Sequence, residues 1–546
     1  MICILHGWLL EGSGSNLWTR SIVTALARAG ETVHLVCQEN HPDLYDAIGE
    51  AYRHQISGAV ERRFAREVPY AGKCILHQPD IGETLPVFVW DKYEEYERVV
   101  PMIELTDDEL ETYIDRNVAV VRKIVIQNGI KAIHANHAVL MSVVAQRVSR
   151  ELGVLFAIMP HGSGIEYAVK KDERFLRYAL SAMEDAATVF VIGKEMRERV
   201  TTIFSSVPDI GRKCIELHLG VDTAQFDPVF KSRRREKIGS LYASLGGTAR
   251  GKTPDQTDTM LTRLSGELGQ SDLRELFVKA GEYDSKAPDS DIEEKLLEVD
   301  WERDPTLLFT GRLISLKGPQ AIFAALPFIL DRAPDAHLIV VGHGPLREPM
   351  EAFLWGLENG ERQLVNNIVA WGRSLEGDPT GDAGAEDLSK VRFYYEALEA
   401  RGELDLYFEL AQQHVRRDKV LFTGYLTHTQ LRYLFPCCDV GIFPSVVREA
   451  GPLVFLEALA SGCFPLGTYF GGMAASIDAL SEVLPPEIAQ VMKVDPQDTV
   501  HDIVTHVPQA LDVGVAYKDV LAKVARDKYD WVSVARTLRL ELGGMG

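Results

Sequence analysis

Positive charge is what this sequence has too little of. Its 58 Lys and Arg face 79 Asp and Glu, a formal net charge of −21. A nucleic-acid binder normally carries a basic face, so the balance argues against that class, although a local cleft in an acidic protein can still hold an anion. Cysteine is sparse as well: Cys3, Cys37, Cys74, Cys214, Cys437, Cys438 and Cys463 are scattered, odd in number and without a C-x-x-C pair. This argues against a disulfide scaffold and for buried reduced thiols in a cytoplasmic protein. No apolar run reaches the roughly 20 residues of a membrane span. A strand-like ICILH begins at Ile2, so no secretory leader is expected. No metal-ligand spacing demands a metal, and no cofactor is expected beyond the substrates. The dinucleotide fingerprint G-x-G-x-x-G also fails, because Leu17 stands where its third glycine belongs, which argues against a nicotinamide oxidoreductase.

What is present is apolar content of 46% over 546 residues, enough for two cores. Buried-strand patterns recur at Ile2–Leu5, Thr32–Cys37, Ala132–Ala135, Val154–Met159, Thr188–Ile192 and Lys213–Leu217. They resume at Thr306–Thr310, His337–Val341, Val420–Phe422, Asp439–Phe443 and the FPLGT segment from Phe464. Helical patterns alternate with them. That rhythm predicts an α/β protein of two Rossmann-like domains, each a doubly wound parallel sheet covered on both faces. The expected domains are 1–220 and 221–515, followed by a C-terminal amphipathic helix. Polar stretches at about 230–303 and 350–412 read as insertions. The span from Gln38 to Tyr96 reads as irregular. Its Arg62, Arg63 and Arg66 are either a solvated helix face or a patch for an anionic acceptor. The basic run from Lys231 to Lys237 is solvated surface, or a peripheral membrane or phosphate contact.

The chain is organised around FPSVVREAGPLVFLEALASGC, Phe443 to Cys463. A buried strand leads into it, Pro452 suits the first turn of a helix, and Gly462 is a natural stop. Glu449 then falls in the loop and Glu457 inside the helix. Glu457 lies within an apolar run, LVFLEALA, so it is expected to be buried and to need a partner. The free N–H groups of Gly451, Leu453 and Val454 would point out of the helix start, where an anion can bind. Such a loop, at the carboxyl edge of a sheet, suits a ligand with hydroxyls at one end and phosphate at the other.

Three more segments carry chemistry. Arg312 and Lys317 follow a strand in LLFTGRLISLKG, where two cations can clamp a pyrophosphate. His161 follows a strand in PHGSGIEY, where small residues let backbone approach a ligand, and Ser163, Gly164 and Tyr167 are candidates beside it. Glycines near Gly14, with Ser15 and Asn16, open the first helix; they form a plain turn or a phosphate cradle. His134 and His137 of HANH read as structural.

Glu449-x7-Glu457, in the frame FPS…E-x-G-P…EALA-G, resembles the signature of the retaining glycosyltransferases of family 4 (glycosyltransferase group 1), which have the GT-B fold. The resemblance implies that Glu449 contacts the donor sugar and Glu457 the ribose of the nucleotide, with the backbone of Ala450, Gly451, Pro452, Leu453 and Val454 beside them. It implies that Arg312 and Lys317 hold the donor diphosphate, and that His161 reaches the donor sugar. Gly14 and Ser15 would lie against the phosphates and acceptor. Gly342 and Gly344 would lie near the nucleotide, and Tyr425 and Leu426 would hold the base through main-chain contacts. The last helix, about 516–546, would return to the first domain, and the active cleft would lie between the two halves. The reaction implied is transfer of a sugar, with retention, from a UDP- or GDP-sugar to an acceptor hydroxyl; family frequency favours UDP. Two alternatives share the fold: a nonhydrolysing sugar-nucleotide epimerase and a noncatalytic nucleotide-sugar-binding protein.

Overall fold

Short, fully buried apolar runs form the central strands of the two large sheets. A computed structural model of the chain describes residues 1–11, 14–88, 96–376, 388–448 and 451–545. It divides into two compact units: Met1–Gly220 with the segment from Asp527 onward, and Val221–Arg526.

The first unit contains β1 (Ile2–Leu5), β2 (Thr32–Val36), β3 (Ile48–His54), β4 (Val60–Ala65), β5 (Lys73–Pro79), β6 (Thr84–Val87), β7 (Arg98–Pro101), β8 (Ala132–Asn136), β9 (Leu155–Met159), β10 (Thr188–Val191) and β11 (Cys214–Glu216). Nine of them form one sheet in the order β11-β10-β9-β8-β1-β2-β5-β3-β4, and β6 and β7 pair separately. Within the large sheet the pairs are parallel except β3 with β4. The winding reverses between β1 and β8, which is where open α/β sheets bind ligands beyond their carboxyl ends. The helix Gly14–Arg28 buries Trp18, Ile22, Val23 and Leu26. The closing helix Trp531–Met545 packs on it and on β8 and β9. Trp531 lies so close to Gly220 that a Cβ there would run into the indole.

The span from Gln38 to Tyr96 is not irregular: it supplies β3, β4, β5 and β6. These strands lack long apolar runs because they approach the sheet edge. β4, VERRFA, is almost wholly exposed. Arg62 and Arg63 therefore sit on an edge strand rather than a helix, where charge discourages pairing with another chain. Arg66 is engaged by the backbone carbonyls of Ile48 and Asp43, at 3.0 and 3.1 Å.

The second unit contains β12 (Thr306–Thr310), β13 (His337–Val341), β14 (Val420–Gly424), β15 (Val440–Phe443), β16 (Phe464–Thr468) and β17 (Lys493–Val494). They form one sheet in the order β14-β13-β12-β15-β16-β17, parallel throughout. This is the Rossmann order, with its reversal between β12 and β15. The helix Thr499–Val524 packs on β16 within this unit, so the chain returns to the first unit at Asp527 rather than near 516.

Residues 230–303 hold the helices Arg234–Leu245, Pro254–Leu261, Gln270–Ala280 and Ile292–Leu297. Their basic run is neutralised locally. Arg234 is buried against Asp439 at 2.6 Å, Lys231 reaches the same carboxylate at 3.7 Å, and Arg233 and Arg235 pair with Glu236 and Asp300. Further along, this segment covers β14, the sheet edge. Asp289 N–H donates to Thr423 O at 2.8 Å, and Tyr425 N–H donates to Ala287 O at 3.1 Å. An ionic network fixes that cover from below. Arg347 donates through both terminal nitrogens to Asp289 at 2.7 and 2.6 Å and through Nε to Glu351 at 3.1 Å. Lys252 reaches Glu348 at 3.0 Å and Glu351 at 2.5 Å. The helix that carries Arg347, Glu348 and Glu351 runs Arg347–Asn359 and follows β13, so the expected insertion from about 350 begins inside it. Arg362–Trp371, Ser389–Arg401 and Leu404–His414 follow; the GDPTGDAG loop lies outside the described residues.

Among the described residues no helix is long and apolar enough to cross a membrane, and all seven cysteines are buried free thiols. Breaking a buried ion pair from one side strands the other charge, at a cost of about 3–5 kcal/mol. Asp289→Ala is therefore expected to destabilise the second unit by roughly that amount, read as a fall in the urea midpoint. A change below about 1 kcal/mol, the worth of an exposed pair, would contradict the role given to the network.

Candidate active site

In the second unit the candidate residues gather at the carboxyl edge of one sheet. Arg312 and Lys317 follow β12, Gly342 and Gly344 follow β13, Tyr425 and Leu426 follow β14, and Gly451–Val454 follow β15. The loops after β12 and β15, on either side of the reversal, are bonded directly. Val446 N–H donates to Leu316 O at 2.9 Å, and Ser445 Oγ donates to the same carbonyl at 3.3 Å. Gly318, with φ +75°, lets the two backbones touch: a Cβ there would collide with the carbonyl oxygen of Pro444. Gly342, with φ +140°, does the same between β13 and β12, since its Cβ would collide with the carbonyl oxygen of Gly311. Lys317 and Arg312 are thus carried beside neighbouring strand ends, Lys317 half-buried and Arg312 exposed.

The helix after β15 runs Leu453–Ala460. Pro452 caps it from outside rather than entering its first turn, with φ −86° and ψ 97°. Its carbonyl accepts from Phe455 and Leu456, so the N–H groups of Leu453 and Val454 precede the first helical bond and point out of the helix start. Burial of Phe455, Leu456 and Leu459 anchors the helix, at about 1.5–3 kcal/mol each. Glu457 is 5% exposed. Its Oε1 lies 2.6 Å from Nδ1 of His428, the first residue of the helix His428–Leu434, while its Oε2 is buried with no hydrogen-bond partner among the described residues. Glu449 and Ala450 lie outside the described residues. The N–H of Tyr425 donates to Ala287 O at 3.1 Å. Leu426 is buried. His343 lies between these groups, its ring edge-on to Tyr425 at 5.5 Å; burial and the nearby cations Arg312 and Lys286 hold its pKa below the ordinary value.

In the first unit a cluster of imidazoles occupies the carboxyl ends of β1, β8 and β9. His161 is buried, with φ +47°, and its Nε2 lies 3.0 Å from Asn136 Oδ1. Asn136 also donates to Thr19 Oγ1 at 2.9 Å, and Thr19 Oγ1 lies 3.1 Å from His6 Nδ1. His6 Nε2 is 3.0 Å from Asn16 Oδ1. His137, also at positive φ (+69°), has both ring nitrogens buried with no hydrogen-bond partner among the described residues, and sits 4.7 Å from the rings of Trp8 and His161. Ser163 is half-buried in the turn after His161, Gly164 lies against His137 and Phe88, and Tyr167 is exposed. Ser15 is half-exposed at the helix start, and Gly14 has nothing near where a Cβ would point; Gly12 lies outside the described residues.

The sequence reading missed His6, Asn136 and His137 as members of this cluster. The available signal was positional: each ends or directly follows a strand beside the reversal, β1 or β8. His428 carried no comparable signal, since its tie to Glu457 spans 29 positions.

Burial keeps these imidazoles neutral. It pushes His6 and His134 down to about 4 and His161 to about 3, and His137 well below its ordinary value. In the unfolded chain each binds a proton below about pH 6.5. The unfolded state therefore gains protons first as pH falls, so stability rises with pH through this window and is lost from about 6.5 down toward the folded values. One such histidine costs on the order of 2 kcal/mol of stability at about pH 5 relative to neutral pH. The melting temperature is expected to fall steadily from about pH 7 to about pH 5; a flat or rising profile would contradict neutral burial.

A family model described as glycosyl transferases group 1 matches residues 401–487, the stretch that holds β14, β15, β16 and Glu457. An uncharacterised glycosyltransferase of Methanocaldococcus jannaschii is 25% identical over 238 residues, a match spanning 42% of this chain and 42% of that protein. Among solved structures, the catalytic domain of Arabidopsis thaliana starch synthase IV, bound to ADP and acarbose, aligns with a TM-score of 0.53 at 12% identity, covering 100% of this chain and 98% of that one. The Anabaena protein HepE in complex with UDP aligns with a TM-score of 0.50 at 13% identity, covering 100% and 99%. With two Rossmann-like units, this likeness makes the fold GT-B.

Proposed function

We propose that this chain is a glycosyltransferase that moves a sugar from a nucleoside diphosphate sugar to an acceptor hydroxyl with retention of configuration. The observation that carries the reading is the carboxyl edge of the second sheet. Two cations follow β12 and a helix start follows β15, on either side of the strand reversal, and in that helix Glu457 keeps one buried oxygen with no partner among the described residues. Similarity of residues 401–487 to the group 1 glycosyl transferases supports it. The ligands of the two structural neighbours, ADP and UDP, support a nucleoside diphosphate as the leaving group.

The chemical demand is to stabilise charge on the departing diphosphate. Arg312 and Lys317 supply formal charge, and the N–H groups of Leu453 and Val454 supply fixed dipoles that need no reorganisation. Glu457 takes a ribose hydroxyl. Glu449 steadies the sugar as positive charge develops at its anomeric carbon, and His161, held neutral, donates to or accepts from a sugar hydroxyl. The bond from the anomeric carbon to the phosphate oxygen breaks while the bond to the acceptor oxygen forms on the same face. The acceptor proton passes to the departing phosphate oxygen.

Losing one preorganised group of this kind costs about 10²–10³-fold in turnover. Lys317→Ala and Glu449→Ala are each expected to fall by that order, with the melting temperature little changed. The measurement is release of UDP or GDP from a panel of sugar donors, with and without hydroxyl acceptors. Unchanged transfer in both variants, or conversion of the donor sugar itself without any acceptor, would contradict the proposal.

A further inference from the structure

Glu457 presents an incomplete hydrogen-bond set. It is buried in an apolar helix; one carboxylate oxygen is held by His428 at 2.6 Å, and the other is buried with no partner among the described residues. An orphaned buried acceptor is destabilising, so Oε2 is suited to accept from a ligand donor. An ionised carboxylate can only accept, so Nδ1 of His428 carries the proton in that bond. His428 opens its own helix, directly after the capping residue Thr427, and its side chain is 38% exposed. The carboxylate is therefore gripped from the solvent side, which fixes the direction of its other oxygen.

We propose that His428 is a positioning residue for the nucleoside site: by holding Oε1 of Glu457 it orients Oε2 to accept a hydrogen bond from a ribose hydroxyl. This rests on the donor-site reading above and adds to it a residue that touches no substrate. Without the imidazole, the carboxylate is free to rotate toward water and its preference for a ribose is lost, while the diphosphate contacts made by Arg312 and Lys317 are untouched.

The test is calorimetric titration of the full chain with UDP, GDP and their 2′,3′-dideoxy forms. The native protein is expected to favour the ribose form by about tenfold or more, the worth of a hydrogen bond to a charged group. His428→Ala is expected to reduce that ratio to near one while the dideoxy affinity stays within about twofold. His428→Asn, whose side-chain amide can donate from nearly the same point, is expected to restore most of the ratio; a residue with only a packing role would not give that rescue. Circular dichroism melting checks that both variants are folded. A full ribose preference in His428→Ala overturns the inference and leaves the donor site standing. Absence of any nucleotide binding by the native protein, or equal affinity for both sugars, overturns the underlying reading and the inference with it.

Discussion

Direct contact between the main chains of neighbouring loops is the constraint on which the residues of the proposed donor site depend. At Gly318 and Gly342 a side-chain carbon would collide with the carbonyl of the next loop. Each glycine therefore welds two strand ends. Lys317 immediately precedes the first weld, and Arg312 follows Gly311, the partner in the second. Pro444 leads on toward the segment of Glu449 and the helix of Glu457. Two cations on flexible stems thus start from bases that cannot drift, which lowers the entropy lost when an anion is bound. The helix start after β15 adds dipoles that are already aligned.

The two units handle buried polarity in opposite ways. In the second, Arg347, Lys252, Asp289, Glu348 and Glu351 are buried as ions and pair with one another. Such a network specifies a docking geometry more than it adds stability, and here the geometry is that of the 230–303 segment over the edge strand β14. In the first unit, His6, His134, His137 and His161 are buried as neutral rings. A neutral imidazole can donate at one nitrogen and accept at the other, which suits contact with sugar hydroxyls at little desolvation cost. The ionic device belongs to architecture, and the neutral one sits at the strand reversal where a ligand would lie.

Much of this is legible in the sequence wherever burial is complete. Runs such as ICIL, TLLFT and HLIVV are apolar or nearly so, and they form central parallel strands. The α/β class and the segments after β12, β13, β14 and β15 follow from them. Edge elements are not legible. β4 is nearly all exposed and β3 carries Glu50, Tyr52 and Arg53, so neither shows a buried run. The start of the expected 350–412 insertion belongs to the helix Arg347–Asn359 after β13, and its buried ions look like a solvated face because Lys252 and Asp289, their partners, are distant in sequence. Glu457 is expected from its neighbours to need a partner, but nothing local links it to His428. Tyr425 is expected to offer main-chain contacts, and the partner its N–H takes, Ala287 O, depends on where the 230–303 segment docks.

The most direct measurement is a crystallographic difference map of the chain soaked with UDP or GDP. Phosphate density is expected against Arg312, Lys317 and the N–H groups of Leu453 and Val454, with the ribose on Oε2 of Glu457. Ordered nucleotide density away from the β12–β15 reversal, with those side chains left in water, would contradict it.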